Sequence, residues 1–272
     1  MSLRIQNNVE AFNAHRQLVG TSHKMSRSME KLASGFRINR AADDAAGLAI
    51  SEKLRAQVGG LKMAQQNGLD AISLVQTAEG ALQEVHAMLQ RARDLKVQYL
   101  NGTLSAADKV SIEDEITQLG SEIGRIGNDT TFNGITLLNS TTTVTFQVGA
   151  NDGQSITVSA TQLYGVGAGF AVDSAIFTAF SSALIADFDD AIAAVASTRG
   201  VFGSAQNRIE HALANLAAYE ENLSASESRI RDVDMAAEMV TFTKYQILQQ
   251  AGTAMLAQAN SAPQAVLSLL RG

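Results

Sequence analysis

The feature that most constrains this chain is an apolar stripe at helical spacing that continues from about residue 43 to Tyr99. A single helix of that length would span roughly 80 Å, which exceeds the width of a globular core. The stripe therefore predicts a rod-like bundle of long helices, with Gly59-Gly60, Gly68 and Gly80 as candidate bends. Its members are Leu54, Val58, Leu61, Leu69, Ile72, Val75, Leu82, Val85, Leu89, Ala92, Leu95 and Tyr99.

Helical spacing recurs on both sides of this stretch. Ser105 with Asp108 resembles a capping box at the start of a third helix, and Ser34-Gly35 predicts the end of the first. The third helix has apolar residues at alternating spacings of four and three, which is typical of a coiled coil. The stripes are Ile5, Val9, Phe12, Leu18, Met25, Met29, Leu32 and Phe36; Ile112, Ile116, Leu119, Ile123 and Ile126; Leu184 to Leu223; and Ile230, Val233, Val240, Ile247 and Met255.

The composition changes at about residue 128, where Thr, Asn and Gly become frequent. β-Branched runs flank Asn151-Asp152-Gly153, a pattern that predicts a β-hairpin within a region of about 130–178. The segment YGVGAGF that follows, at 164–170, is expected to be a flexible connection. The predicted fold class is mainly α, a long antiparallel helical coiled-coil bundle with a small β-hairpin insertion.

Composition also excludes several classes of protein. Hydrophobic residues make up 46% of the chain, which argues against simple disorder, while aromatics at 5% and the absence of Trp favour long packed helices over an enzyme core. There is no Cys, so disulfides and thiolate sites are excluded. The net charge of −6 gives no indication of nucleic-acid binding, and no apolar run is long enough to predict a membrane span.

Catalytic and metal-binding patterns are missing as well. The four histidines, His15, His23, His86 and His211, are scattered and none belongs to an H-E-x-x-H frame. The glycines at 165–169 do not have the spacing of a phosphate-binding loop, and no serine has the G-x-S-x-G context of a hydrolase. We therefore expect no enzymatic activity, no metal and no cofactor.

Several segments resemble bacterial flagellin, the subunit of the flagellar filament, and they occur in the order found in that family. They are KLASGFRINRAADDAAGLAISEKLRAQVGGL (31–61), AISLVQTAEGALQEVHAMLQRARDLKVQ (71–98), TFNGITLL (131–138), FQVGANDGQ (146–154), AQNRIEHALANL (205–216), ENLSASESRIRDVDMAAEM (221–239) and QILQQAGTAMLAQANSAPQAVLSLLRG (246–272). The resemblance covers nearly the whole chain. The short middle leaves no room for the large outer domains of longer flagellins.

The resemblance implies an architecture and a function. Residues 1–43 and 226–272 would pair as an inner coiled-coil layer, and residues 44–225 would form a rod-like domain. The protein would be exported unfolded by the flagellar type III apparatus, with a chaperone on its C-terminal helix, and would self-assemble into the extracellular filament for swimming motility. The filament cap and the hook-associated junction proteins would be further partners. The predicted assembly residues are Ile5, Val9, Phe12, Leu32, Ile230, Val233, Val240, Ile247 and Met255.

A second implication concerns host recognition. Flagellins that are sensed by a Toll-like receptor present an Arg and a Leu one helical turn apart, plus a Glu on the next helix. Arg91, Leu95 and Glu115 match that pattern. The alternative is that Leu95 is a core residue and that the two charges belong to a solvated face.

Asp43 and Asp44 stand next to each other at the predicted start of the long helix. Successive helical positions diverge by about 100°, so the two carboxylates are not expected to converge on one metal ion or proton. At a helix start, acids cap free N–H groups and complement the helix dipole. We interpret Arg37, Arg40, Asp43 and Asp44 as a junction, with the arginines as candidate salt-bridge partners of the acids within or between subunits.

Two other interpretations stay open at this stage. A hook-associated junction protein would share the terminal helices, although it should have a longer and different middle. A secreted enzyme or a cytosolic coiled-coil adaptor is the alternative from a different class. Self-assembly of the purified protein into filaments distinguishes a filament subunit from both.

Overall fold

The computed structural model describes residues 8–140, 143–159, 164–165 and 172–271, and within them the side chains of 8–140, 143–158 and 172–261. The predicted mainly α fold with a small hairpin is confirmed. The helices are α1 (Val9–Ser34), α2 (Ala45–Tyr99), α3 (Ala106–Asp129), α4 (Ala175–Thr178), α5 (Ile185–Arg231) and α6 (Met235–Arg271). None of the helices described here combines the length and hydropathy that crossing a membrane requires.

The chain divides into two compact units. Unit 1 contains Met1–Ala56 and Asn222–Gly272, and unit 2 is the continuous segment Gln57–Glu221. Helices α2 and α5 each contribute residues to both units. The division at residues 43 and 226 that the resemblance implies stays a prediction.

The hydrophobic core of unit 2 is built by α2, α3 and α5. The α2 stripe is buried from Leu74 to Leu95, and Ile112, Ile116 and Ile123 of α3 are buried against it. Ion pairs fix the direction of α5, because Arg93 binds Asp189 at 2.5 Å and Glu79 binds Arg199 at 3.4 Å, so the two helices are antiparallel. The α5 side of the core includes Phe188, Val195 and Phe202.

Helix α2 continues without a break through the glycines that the sequence suggested as bends. At Gly68 a Cβ would come within 2.6 Å of the Leu213 side chain, so the missing side chain lets α5 approach. One predicted stripe residue differs from its neighbours, because Leu69 is exposed. The other stripe residues are buried or half-buried, and Leu61 is already fully buried before Leu69.

The predicted hairpin is confirmed by strands β3 (Thr143–Gln147) and β4 (Ser155–Ser159), which pair antiparallel across the Asn151-Asp152-Gly153 turn. The alternation of the strands places Ile156 and Val158 in the core while Thr145 and Thr157 stay exposed. Two shorter pairs accompany it: β1 (Thr131–Phe132) with β2 (Ile135–Thr136), antiparallel, and β5 (Tyr164–Gly165) with β6 (Val172–Asp173), parallel.

Three boundaries differ from the sequence prediction. Tyr164–Gly165 is a strand and not part of a flexible connection, while residues 166–170 lie outside the described part of the chain. Helix α2 begins at Ala45, after both aspartates. Ile230 belongs to α5, which ends at Arg231, and Val233 lies in the α5–α6 linker. The prediction that both belong to the last helix is therefore wrong. The short linker has no Gly or Pro, and the apolar spacing carries through it.

Candidate assembly surface and junction

Helices α1 and α6 pack against each other in unit 1 as an antiparallel pair. Asn8 Nδ2 donates to the Ala259 carbonyl at 2.7 Å, Ser28 Oγ donates to Glu238 Oε1, and Leu18 lies opposite Gly252. Residue numbers thus rise along one helix as they fall along the other. Asn8 also caps α1, because its Oδ1 accepts from the Ala11 N–H at 3.0 Å.

This helix pair has almost no core of its own. Ser28 is the single buried residue of α1, and no residue of α6 is buried between 235 and 261. Large apolar side chains instead face outward, with Phe12 and Val240 each 71% exposed. Of the predicted assembly residues, Val9, Phe12, Val240, Ile247 and Met255 are exposed, Leu32, Ile230 and Val233 are half-buried, and Ile5 lies outside the described residues.

The α1–α2 linker and the α5–α6 linker run side by side in unit 1. Gly35 ends α1 with a positive φ of 77°, the left-handed conformation that glycine adopts most readily, so the predicted stop is confirmed. The backbone N–H of Arg37 donates to the Arg231 carbonyl at 2.7 Å, and that of Val233 donates to the Gly35 carbonyl at 3.0 Å. These bonds flank an isolated antiparallel bridge between Phe36 and Asp232.

Arg231 strengthens this junction through its side chain. Its guanidinium lies 4.7 Å from the Phe36 ring centroid, and Nη1 is 2.7 Å from Glu52 Oε1. A cation stacked on a ring and paired with a carboxylate gains from both contacts. Sequence reasoning missed Arg231 and Glu52, because their pairing joins residues far apart in the chain and leaves no periodic signal.

The junction acids and arginines are arranged differently from the prediction. Arg37 Nη2 donates to the Ile230 carbonyl at 2.6 Å and Arg40 Nε pairs with Glu30 at 2.9 Å, so within one subunit neither arginine is seen to pair with Asp43 or Asp44. The acceptor of Arg37 lies at the end of α5, and the acceptor of Arg40 lies near the end of α1. Within the subunit the two arginines thus have other partners, and their pairing with these acids between subunits stays a prediction.

The two aspartates act on different segments. Asp43 Oδ2 accepts from the backbone N–H groups of Arg40 at 3.1 Å and Asn39 at 3.2 Å, and it stabilises the turn before α2. Asp44 Oδ1 accepts from the Gly47 N–H at 2.9 Å at the start of α2. The backbone hydrogen bond from Arg40 is the main cause that lowers the pKa of Asp43 below its usual value.

The residues suggested for receptor recognition are brought together only in part. Arg91 and Glu115 form an exposed salt bridge with a distance of 2.9 Å between Nη2 and Oε1. Leu95 is only 2% exposed and belongs to the hydrophobic core of unit 2. The alternative interpretation of Leu95 as a core residue is thus the one that its burial favours.

A buried cation next to Leu95 was also missed. Lys96 is buried, its Nζ donates to the Phe180 carbonyl at 2.7 Å, and it lies 4.5 Å from the Phe180 ring centroid. Burial lowers the pKa of Lys96, and the charges of Asp187 and Glu113 oppose that shift. A lysine on an apolar helical face carries no sequence signal that separates a buried amine from one that reaches solvent.

The described part of the chain contains no cluster of three or more side chains that could hold a metal ion. The described surface is distinguished by the exposed apolar side chains of α1 and α6 and by the junction of the two linkers.

Two family models match the chain: the bacterial flagellin N-terminal helical region over residues 5–143, and the bacterial flagellin C-terminal helical region over residues 185–270. The chain belongs to the bacterial flagellin family. A flagellin of Halalkalibacterium halodurans is 51% identical over 98% of this chain and 99% of its own length. A flagellin of Bacillus subtilis is 48% identical over 99% of this chain and 100% of its own length.

A solved structure of a putative flagellar hook-associated protein from Vibrio parahaemolyticus has the same fold. It superimposes with a TM-score of 0.60 at 15% identity and covers 70% of this chain and 100% of that one. Flagellins are structural proteins that self-assemble into the flagellar filament of motile bacteria, and they are not enzymes. This flagellin chain is accordingly a structural subunit of the extracellular flagellar filament.

Proposed function

We propose that the subunits polymerise through the exposed apolar faces of α1 and α6, and that these terminal helices gain their order from assembly. The observation that carries this proposal is the lack of a buried apolar side chain in the described part of the pair, together with the exposure of Phe12, Val240, Ile247 and Met255. Exposed apolar surface of this kind is characteristic of an interaction site.

The energetics favour folding that is coupled to assembly. Isolated helices are only marginally stable in water, and most helical stability in proteins comes from packing of an apolar face. Two helices packed only on each other leave much of that face wet. Neighbouring subunits would supply the missing burial, so order would rise with subunit concentration. A heterologous contact repeated by rotation and rise then gives an open helical polymer.

A charge placed on the apolar face tests the contact. Val240→Glu would bury an unpaired carboxylate in the polymer, and we expect it to abolish filament growth from seeds, measured by sedimentation and electron microscopy. Gln250→Glu adds the same charge at another exposed position of α6 and is the matched control. Normal filaments from Val240→Glu would rule out this face as a contact.

Hydrogen exchange tests the coupled folding. Backbone amides of α1 and of residues 235–261 should exchange quickly in the free subunit and slowly in the filament. Amides in the buried part of α2, from Leu74 to Leu95, should be protected in both states because they belong to the core of unit 2. Strong protection of the terminal helices in the free subunit would contradict the proposal.

Export is the second part of the proposal. The chain would pass unfolded through the flagellar type III apparatus, with a chaperone covering the C-terminal helix. The absence of cysteine and the exposed face of α6 support this, because no disulfide blocks unfolding and a bare apolar face invites premature association. The filament cap and hook-associated junction proteins would be its partners at the two filament ends. Full-length protein should bind the chaperone, and Val240→Glu with Ile247→Glu should lose that binding.

Recognition of the disassembled subunit by a Toll-like receptor is the third part. Arg91 and Glu115 supply exposed charges on neighbouring helices, and buried Leu95 would act only by fixing the position of the Arg91 turn. We expect Arg91→Ala to lower receptor activation by roughly thirtyfold, which corresponds to the loss of about 2 kcal/mol at an interface hot spot. Arg125→Ala, which removes another exposed ion-paired arginine, is the control. Equal activation by both variants would exclude this site.

A further inference from the structure

Three methionines lie close together on the α1–α6 pair. Met29 follows Ser28 in the chain, Met239 follows Glu238, and Met235 comes one turn before Met239. The hydrogen bond from Ser28 to Glu238 therefore holds all three within about one turn of a single cross-link. Met29 is 51% exposed, Met239 is 50% exposed and Met235 is 49% exposed. We call Met29, Met235 and Met239 the methionine patch.

Helix geometry places the patch on one side of the pair. Each helical position turns by about 100°, and in an antiparallel pair the two helices turn in opposite senses when seen along one axis. Residues that follow a facing pair by one position thus point to the same side, as Met29 and Met239 do. Met235 is four positions before Met239 and shares its face.

The helical neighbours of Met29 and Met239 are uncharged, whereas Met235 has Glu238 three positions after it and Arg231 and Asp232 before it. The residues three and four positions from Met29 are Met25, Ser26, Leu32 and Ala33, and those around Met239 are Met235, Ala236, Phe242 and Thr243. Arg27 and Lys31 lie two positions from Met29, which directs them to the opposite side of α1. The nearby charges already have partners, because Glu238 accepts from Ser28, Arg231 pairs with Glu52 and Asp232 accepts from Ser228. The polarisable, half-exposed thioethers therefore fit an apolar protein partner better than an ionic one.

We propose that the methionine patch contacts a second copy of this chain in the filament, and that oxidation of its sulfurs by a hydroperoxide prevents that contact in the free subunit. This inference rests on the proposed role of α1 and α6 in polymerisation. A second copy is the occupant because the family self-assembles and the patch lies on a helix pair without its own core. Flexible thioethers also adapt to contacts that vary between subunits.

The oxidation step needs no catalyst. A lone pair of the thioether sulfur attacks the terminal oxygen of the hydroperoxide, the S–O bond forms and the O–O bond breaks. With hydrogen peroxide, one oxygen is transferred to sulfur as hydroxyl and the other departs as hydroxide, which takes the proton of the transferred hydroxyl and becomes water. The sulfur loses two electrons and the peroxide gains them. The sulfoxide is polar and chiral, and it is returned to the thioether by methionine sulfoxide reductases. Its new dipole would be buried without a partner in the subunit contact.

Peroxide footprinting measures whether assembly covers the patch. Free subunits and filaments are treated with hydrogen peroxide, and sulfoxide at each methionine is followed by mass spectrometry. We expect the three methionines to react in the free subunit about as fast as exposed Met63 of unit 2, and to react at least roughly tenfold more slowly in the filament. Equal rates in both states would overturn the contact. Protection by the export chaperone but not by the filament would assign the face to the chaperone and overturn it too.

Assembly of oxidised subunits tests the switch. Each protein is made in the wild-type background and in a Met255→Leu background, and the comparison between the two gives the separate effect of oxidising Met255 on the proposed assembly face. After peroxide treatment the parent should fail to extend seeds, and reductase treatment should restore extension. In the Met255→Leu background, a variant with Met29→Leu, Met235→Leu and Met239→Leu should extend seeds despite peroxide, since leucine keeps the volume and cannot be oxidised. Met63→Leu is the matched control and should fail like the parent.

The outcomes separate this inference from the function on which it rests. If the untreated parent extends seeds and the triple leucine variant is still inactivated by peroxide, the patch is not the oxidation-sensitive contact and the inference is wrong. If untreated wild type and Val240→Glu both extend seeds, polymerisation through these helices is wrong, and the inference falls with it.

Discussion

The carboxylate of Asp43 accepts hydrogen bonds from the backbone of Asn39 and Arg40, whereas that of Asp44 accepts one from Gly47. One acid therefore holds the end of the linker and the other caps α2. The sequence predicted capping from the residue type and position, and the structure assigns that role to Asp44. The hydrogen bonds of Asp43 to the backbone of Asn39 and Arg40 were not predictable from the sequence, because they depend on the conformation of the turn at 39–43.

Substitution at the two acids should separate these roles. Asp44→Ala should lower the free energy of unfolding of the junction by about 1 kcal/mol, the usual cost of losing an N-cap. Asp43 has a folded pKa below its unfolded value of 3.8, so its contribution is present above that value and is lost as the pH falls through the folded pKa. Filaments of Asp43→Asn should thus show a weaker loss of stability below about pH 4 than wild type, measured by light scattering.

The double variant Asp43→Ala with Asp44→Ala should weaken or reshape the filaments seen by electron microscopy. Identical acid-dissociation curves for wild type and Asp43→Asn would show that the Asp43 turn does not contribute to filament stability. Asp152→Asn, at an exposed hairpin turn, serves as the control for removing one carboxylate.

Buried Lys96 gives a prediction at alkaline pH. Its folded pKa is lowered from 10.5, so below that value the unfolded chain binds more protons than the folded one, and stability rises with pH as the folded amine deprotonates. Lys96→Met removes this rise. Chemical denaturation should show the free energy of unfolding of wild type increasing relative to Lys96→Met as pH approaches 10.5.

The ionisation of Tyr99 and a control variant bear on the interpretation of that experiment. Tyr99 donates to Glu113 and has a raised pKa, which works in the opposite direction above about pH 10, but it is present in both proteins and cancels to first order in their difference. Lys62→Met removes a largely exposed amine that pairs with Glu220, and it is the control for the loss of one positive charge. A constant difference between wild type and Lys96→Met across the range would contradict the prediction.

At the scale of the elements, long apolar periodicities were the most informative signal. The stripes of α2 and α3 predicted the core of unit 2, because a helix this long can bury only the face on which its apolar residues recur. The capping box at Ser105 and Asp108 was also predicted and is present, since its two hydrogen bonds are local in sequence. The two-residue strands were not predicted, because their pairing depends on tertiary contacts more than on propensity.

Helical glycines show again that a feature set by tertiary contacts is not predictable from the local sequence. At Gly120 in α3 a Cβ would come within 2.6 Å of Phe177, while at Gly80 in α2 it would meet open space. Gly120→Ala should lower the free energy of unfolding by about 1–3 kcal/mol through overpacking. Gly80→Ala should raise it by about 0.5–1 kcal/mol by reducing backbone entropy in the unfolded chain. Urea denaturation measures both, and changes of the same sign would refute this account of the two sites.

At the scale of the whole molecule, the core and the assembly surface occupy different parts of the chain. Among the described residues, nearly all buried apolar side chains lie in unit 2, with Ile38 of the α1–α2 linker as an exception, whereas the exposed faces of α1 and α6 belong to unit 1. The sequence suggests this division because the terminal helices have apolar stripes that, within one subunit, only the other terminal helix could cover. It could not identify the linker junction, since Arg231 and Glu52 are 179 positions apart.

Deletion of residues 240–272 makes use of that division. The truncated chain keeps every residue of both hydrophobic clusters, so we expect a cooperative thermal transition with a midpoint within a few degrees of wild type. It loses most of α6, which leaves α1 without its partner and removes Val240, Ile247 and Met255 from the proposed contact. Filament growth from seeds should therefore be abolished. Full-length Gln250→Glu, which keeps both terminal helices, should form filaments normally. Filaments formed by the truncated chain would show that polymerisation does not depend on α6.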